Sequence, residues 1–342
     1  MISLTSIITA VIGFLAVYLL GFIIVPFLKK LNFGQTIRED GPKWHASKQG
    51  TPTMGGIMIV AGVILAVVLG FVYSVITEDN VFAEIFVTRK AVGWLSAIGL
   101  ALAMGVIGFV DDYIKVVKKR NLGLTARQKT FSQLIVSTLY LAVLILFGDM
   151  KTTFIPFVGE VDISKGLGLV FWPVALLFVY GFVNAVNLTD GVDGLASSVT
   201  LVASCAFMVL GGIGNFNGAN LLSSAVAGAC VGFVMWNAHP AKVFMGDTGS
   251  LFLGGMVVGL SFAVNSPILL ILIGIVYLVE AFSVIIQVSY FKKTKKRIFK
   301  MTPIHHHFEM CNWSEEKIVF VFSFVTLIGS VLAVLAYIAK YL

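Results

Sequence analysis

Charge is scarce in this sequence. Asp, Glu, Lys and Arg supply 12% of its 342 residues, where a soluble globular domain carries about a quarter. Apolar residues supply 58%, and the mean hydropathy is +0.98. The solvent for most of the chain is therefore lipid. Cysteine is scarce too. Cys205, Cys230 and Cys311 form no CxxC pair, which argues against a disulfide framework or a thiolate metal site. No stretch interleaves basic residues with exposed aromatics, so the net charge of +7 does not point to nucleic acid. No internal repeat of fixed period stands out, which removes the main signature of an inverted-repeat transporter. The N-terminal apolar run lacks a basic leader segment and is too long for a signal peptide, so it reads as a retained span.

What is present is a series of long apolar runs. Spans need about 20 such residues. Ten are predicted, over 4–27, 54–76, 92–110, 131–148, 167–186, 194–212, 219–236, 250–265, 268–290 and 316–339. The eighth is short and rich in glycine. The expected fold is an all-α integral membrane protein forming one polytopic domain over 1–342. Alternate connections, beginning with 28–53, carry 18 of the 24 Lys and Arg residues, which assigns them to the cytoplasm and both termini to the exterior.

Asp111, Asp112, Asp190, Asp193 and Asp247 all fall on that cytoplasmic side. Carboxylates contribute little to topology, so their clustering calls for another cause. In "GFVDDYIKV" two adjacent carboxylates end an apolar run. If the helix continues, Asp111 and Lys115 share a face. The plain alternative is a solvated helix end, but two like charges at a helix C-terminus repel each other and the dipole. In "NAVNLTDGVDGLA" Asn187, Asp190 and Asp193 recur every three residues, with Gly191 and Gly194 keeping the backbone accessible. A simple turn needs fewer such residues.

In "AKVFMGDTGSL" Asp247 or Ser250 could cap the next helix, or that helix N-terminus could take a phosphate. Phe244 is expected to be an exposed aromatic that either stacks on a base or anchors the loop to the bilayer. "PIHHHFE" is a poor zinc site, since neighbouring helical residues point about 100° apart. Its His305 and His306 suit donating hydrogen bonds to phosphate or transferring a proton, and equally a structural role. The segment "GPKWHASKQGTPTMGG", with His45 and Lys48, reads as a lid. Glu280 is the one acid well inside a span, with Gln287 as its expected cross-helix partner; Gln287 is also taken as a substrate-binding candidate. Hard carboxylates favour magnesium bridging substrate phosphates, and the chemistry expected is phosphoryl transfer to an acceptor arriving from the lipid.

These four motifs, with "REDGPKWHASKQGTPTMGG" and the ten-span layout, resemble the phospho-N-acetylmuramoyl-pentapeptide transferase family, within the polyprenyl-phosphate N-acetylhexosamine-1-phosphate transferases. The resemblance covers essentially the whole chain. It implies a bacterial cytoplasmic-membrane enzyme that joins undecaprenyl phosphate to the phosphosugar of UDP-MurNAc-pentapeptide, releasing UMP and forming lipid I, with Mg2+ as cofactor and a homodimer as the assembly. It implies a magnesium ligand at Asp247 and the family's aspartate pair at Asp111 and Asp112. A uridine pocket is implied at Asn187, Asp190, Asp193, Asn237 and Phe244, and further active-site positions at Lys48, Lys129, His305 and His306. Lys115 is added to the catalytic set, and Gly191 and Ser250 to the binding set. The phosphate acceptor is largely dianionic at neutral pH, so direct attack is favoured over an aspartyl-phosphate route, with Asp111 as a base left open. The rivals are a sister enzyme transferring GlcNAc-1-phosphate and, more remotely, a transporter.

Overall fold

The computed structural model describes residues 3–31, 48, 50–77, 79–86, 88–118 and 122–339. His45 and the rest of the expected lid up to residue 47 lie outside them. Thirteen helices are described: α1 Leu4–Lys30, α2 Gly56–Thr77, α3 Asn80–Glu84, α4 Thr88–Val117, α5 Ala126–Leu146, α6 Phe171–Thr189, α7 Leu195–Ile213, α8 Asn217–Asn237, α9 Gly246–Ala263, α10 Leu270–Ile273, α11 Ile275–Thr294, α12 Ile304–Glu309 and α13 Glu315–Ile338. Among the described residues the one sheet is a hairpin of β1 Thr152–Ile155 against β2 Gly159–Asp162, antiparallel with Thr152 opposite Asp162.

Local signals set many helix ends. Ser3 accepts the Ser6 N–H at the start of α1, and Ser314 accepts the Lys317 N–H at the start of α13, whose first turn carries Glu315 and Glu316. Both satisfy N–H groups that the helix leaves open. Thr125 and Gln128 form a reciprocal capping box that starts α5 at residue 126, five residues before the predicted span.

Nine of the described helices are long and apolar enough to cross a bilayer: α1, α2, α4, α5, α6, α7, α8, α11 and α13. On α1, Leu4, Ile7, Val11, Leu15, Leu19, Phe22 and Ile23 are exposed, recurring every three or four residues as a lipid-facing stripe. The expected eighth span is α9. It is not among the nine, and every residue from Thr248 to Ala263 is buried. It is the axis of the bundle, against which α4, α6 and α2 pack. The expected ninth span begins later than residue 268, because the chain breaks at Gly274 and α11 starts at Ile275.

The crossing of α4 and α9 positions the site. A Cβ at Gly108 would lie 2.1 Å from the carbonyl oxygen of Asp247. Only glycine allows that approach, and small residues are how membrane helices come this close. Asp111 and Asp112 follow within about one turn of the helix.

Candidate active site

α4 runs on to Val117, so Asp111, Asp112 and Lys115 all lie on one continuous helix. The Asp112 carboxylate lies across the N-terminus of α9. Its Oδ1 accepts the Asp247 N–H (3.2 Å), and its Oδ2 accepts the N–H and the hydroxyl of Thr248 (2.9 and 2.8 Å). Gly246, at φ +73°, leaves room for it; a Cβ there would lie 2.6 Å from Asp112 Oδ2. This corrects the expectation that the helix N-terminus serves a phosphate or is capped locally. A carboxylate from the crossing helix has taken those donors. Ser250 instead donates to the Gly246 carbonyl (3.0 Å) and accepts from Asn187 Nδ2 (2.8 Å).

One oxygen each of Asp111, Asp112 and Asp247 lie within 4.8 Å of one another. Lys115 Nζ sits among them, 2.6 Å from Asp111 Oδ2, 2.8 Å from Asp247 Oδ2 and 3.5 Å from Asp112 Oδ1. Lys129 Nζ is 2.9 Å from the same Asp247 oxygen, and Asn187 Nδ2 donates to the other (2.8 Å). Leu124 N–H donates to Asp111 Oδ1 (2.8 Å). Burial works against the Asp247 charge, but a hydrogen bond from Asp111 and the Lys129 and Lys115 ammoniums outweigh it and hold that carboxyl well below the ordinary range. The donors that Asp111, Asp112 and Asp247 offer are all hard oxygens. The set fits a magnesium ion.

A second cluster lies where the 190–194 turn meets α13. Lys48 Nζ bridges Asp193 Oδ1 (2.8 Å) and Glu315 Oε2 (2.7 Å). His239 Nδ1 is 3.1 Å from Asp193 Oδ2 and 3.4 Å from Glu315 Oε1. Glu315 also accepts the Asp193 N–H (3.0 Å). Asn237 ties the turn to the next loop, accepting from Gly194 N–H (2.9 Å) and donating to the Val243 carbonyl (2.9 Å). Asp190 is half-buried, and no described residue pairs with its carboxylate. Desolvation, with the charges of Asp247, Asp112 and Asp193, raises its carboxyl well above the ordinary value.

Sequence reasoning did not single out Glu315 or His239. Glu315 reads as an ordinary first-turn acid behind a serine cap. His239 stands inside the "WNAHPAKVF" segment, where its proximity to Asp193 was the missing signal. Phe244 is half-buried rather than exposed. Its backbone is paired, with its N–H on Pro52 and its carbonyl on the Gly55 N–H (2.8 Å each), which docks the 50s loop beside Asp247. Gln287 is not the partner of Glu280. Its Oε1 accepts from the N–H groups of Ile298 and Phe299 (3.0 and 3.1 Å) and its Nε2 donates to the Phe299 carbonyl. Glu280 pairs with His305 instead, Oε1 to Nδ1 at 3.0 Å, and His306 Nδ1 lies 2.5 Å from Glu309 Oε2. The structure thus brings Lys115, Lys129, Asn187 and Ser250 around the three aspartates, Lys48 and Asn237 around Asp193, and Gly191 against His305.

Comparison with known proteins meets this geometry from outside. The family model described as Glycosyl transferase family 4 matches residues 94–265. A phospho-N-acetylmuramoyl-pentapeptide-transferase signature matches residues 48–60, beginning at Lys48. Proteins named phospho-N-acetylmuramoyl-pentapeptide-transferase are similar over almost all of the chain. The one from Bacillus subtilis is 45% identical over 327 residues, covering 95% of this chain and 96% of its own. The one from Clostridioides difficile is 43% identical over 332 residues, covering 96% of each. The one from Listeria monocytogenes is 46% identical over 312 residues, covering 91% of each.

Proposed function

Because this chain belongs to the phospho-N-acetylmuramoyl-pentapeptide transferases, multi-pass bacterial membrane enzymes of peptidoglycan synthesis, we propose that its clustered aspartates form the transfer site, on the cytoplasmic face. The donor is UDP-MurNAc-pentapeptide and the acceptor undecaprenyl phosphate. The products are UMP and the undecaprenyl-pyrophosphoryl sugar, lipid I. The observation that carries this reading is the meeting of Asp111, Asp112 and Asp247 within 4.8 Å, bridged by Lys115.

A phosphate monoester has a second pKa of about 6, so the acceptor reaches the site largely as a dianion and needs little deprotonation. An acceptor oxygen attacks the phosphorus that carries the sugar. The bond from that phosphorus to the bridging oxygen breaks, and UMP leaves with the electron pair. The difficulty is bringing two anions together. Lys115 and Lys129 offset their charge as they approach, in a site already organised before they arrive. Magnesium held by Asp247, with Asp111 and Asp112, would add Lewis-acid neutralisation of the diphosphate. Asp112 spends both oxygens on the α9 N-terminus, which suits it to hold Asp247 in register rather than to act as nucleophile or base. Asn187, Asp190, Asp193 and Phe244 receive the uridine end, and Asn237 holds the turn that carries two of them. Lys48 and His306 complete the binding face. The same reading expects a homodimer in detergent.

The test uses the purified chain in detergent with undecaprenyl phosphate and UDP-MurNAc-pentapeptide. UMP release that needs magnesium and fails with UDP-GlcNAc is the expected result; efficient release with UDP-GlcNAc would move the chain to the sister activity. A phosphorylated aspartate trapped with the nucleotide substrate alone would overturn direct attack.

A further inference from the structure

Glu280 is fully buried in the second turn of α11, a helix long and apolar enough to cross a bilayer. An acid there is expensive and asks for a purpose. Its partner is His305 on α12, itself fully buried. Glu280 Oε1 lies 3.0 Å from His305 Nδ1, and Oε2 lies 3.5 Å from the His305 backbone nitrogen. With the carboxylate ionised, the ring proton sits on Nδ1. The other ring nitrogen, Nε2, is buried without a hydrogen-bond partner, which is unusual for a polar atom in a folded interior. It faces Gly191: a Cβ built there would lie 2.2 Å from Nε2 and 2.6 Å from Cε1. Gly191 follows Asp190, whose carboxylate no described residue pairs, and shares its turn with Asp193. Carboxylate, imidazole and turn backbone are in series, and the free acceptor points at the half-exposed end of that series.

We propose that Glu280 is a positioning residue for the nucleotide-sugar site: it fixes the His305 ring against Gly191, sets the 190–193 turn, and leaves Nε2 as a buried acceptor for an N–H group of the bound donor substrate. The inference deepens the transferase reading and rests on it. Glu280 never touches substrate. It acts through the orientation of His305, as the outer partner of a ligand-binding imidazole commonly does.

The test measures UMP release by the full chain, with KM determined separately for UDP-MurNAc-pentapeptide and for undecaprenyl phosphate. Glu280→Leu raises the nucleotide KM by about tenfold or more, while the lipid KM stays within about twofold. Glu280→Gln keeps an oxygen that accepts from Nδ1–H and stays within about threefold of the parent. KM is read from whatever fraction folds. Should Glu280→Leu give no folded protein, Glu280→Asp, whose shorter side chain keeps the charge but withdraws the oxygen from Nδ1, decides with the same nucleotide-specific rise. An unchanged nucleotide KM with a lower kcat would reduce Glu280 to a structural staple and overturn the proposal, as would Glu280→Gln behaving like Glu280→Leu. Failure of the parent chain to release UMP would instead sink the transferase reading itself.

Discussion

The two ends of the helical bundle use acidic residues in opposite ways. At the end of α2 far from the aspartate cluster, Asp79 caps α3 and takes the hydroxyls of Ser74 and Thr5. Burial opposes its charge, but those hydroxyls and the Val81 and Phe82 N–H groups hold its carboxyl below the ordinary value. Glu84 similarly accepts the N–H groups of Asn217 and Gly218, at 2.6 and 3.3 Å, on the first turn of α8. Each acid there meets donors and no second acid. At the other end of α8 and α4, acids meet acids. Asp111, Asp112 and Asp247 crowd together around Lys115 and Lys129, and Asp190 has no described partner for its carboxyl, which is raised. Burial still raises the Glu84 carboxyl, so the difference between the ends lies in the partners: N–H and hydroxyl donors at the far end, other acids at the near end. Sites that must receive a charged ligand carry such stored frustration.

Three substitutions test that contrast. The largest effect is expected for Asp247→Ala. It should lower kcat by about a thousandfold or more at any magnesium concentration, with the melting temperature in detergent nearly unchanged. A variant that retained turnover, measured by UMP release, would break the comparison. Glu84→Ala is the converse. It leaves two N–H groups of α8 without their acceptor, a loss of about 1–2 kcal/mol, seen as a melting temperature lower by a few degrees and an unchanged kcat. The smallest effect is for Asp190→Asn. The Asp190 carboxyl is raised in the folded chain by desolvation and by Asp247, Asp112 and Asp193. While it is protonated in both folded and unfolded states it costs nothing. Its cost grows as pH climbs from the unfolded carboxylate range through the raised folded one. Replacing the carboxyl by the neutral amide should therefore raise the melting temperature slightly at neutral pH, with the gain vanishing near about pH 4. Melting curves across that range check the sign.

Much of this was legible in residue order. The runs that became α1, α2, α4 to α8 and α13 stand out by length and hydropathy. The Asp111–Lys115 pairing follows once α4 is continuous, because residues four apart on a helix share a face. Other features were not legible. Asp112 caps a helix that begins far along the chain, at Gly246, and nothing local to either segment announces it. Glu315 imitates an ordinary first-turn acid, and its grip on Lys48 and Asp193 exists only once three distant segments converge. Gln287 was the partner expected for Glu280, yet His305 reaches it from α12 while Gln287 turns to the 298–299 backbone. The hairpin at 152–162 carries too few residues to register against the helical runs around it.

Hydropathy adds up along a chain, so the sequence by itself determined that this protein lives in a bilayer, roughly where it crosses, and that five of its aspartates and most of its bases gather toward one face. Electrostatic partnership does not add up along a chain; it depends on distances between segments. Which carboxylates meet, which one caps and which stays unpaired was decided only when Gly108 let α4 lie against the backbone of α9 and the turn at 190–194 closed onto α13.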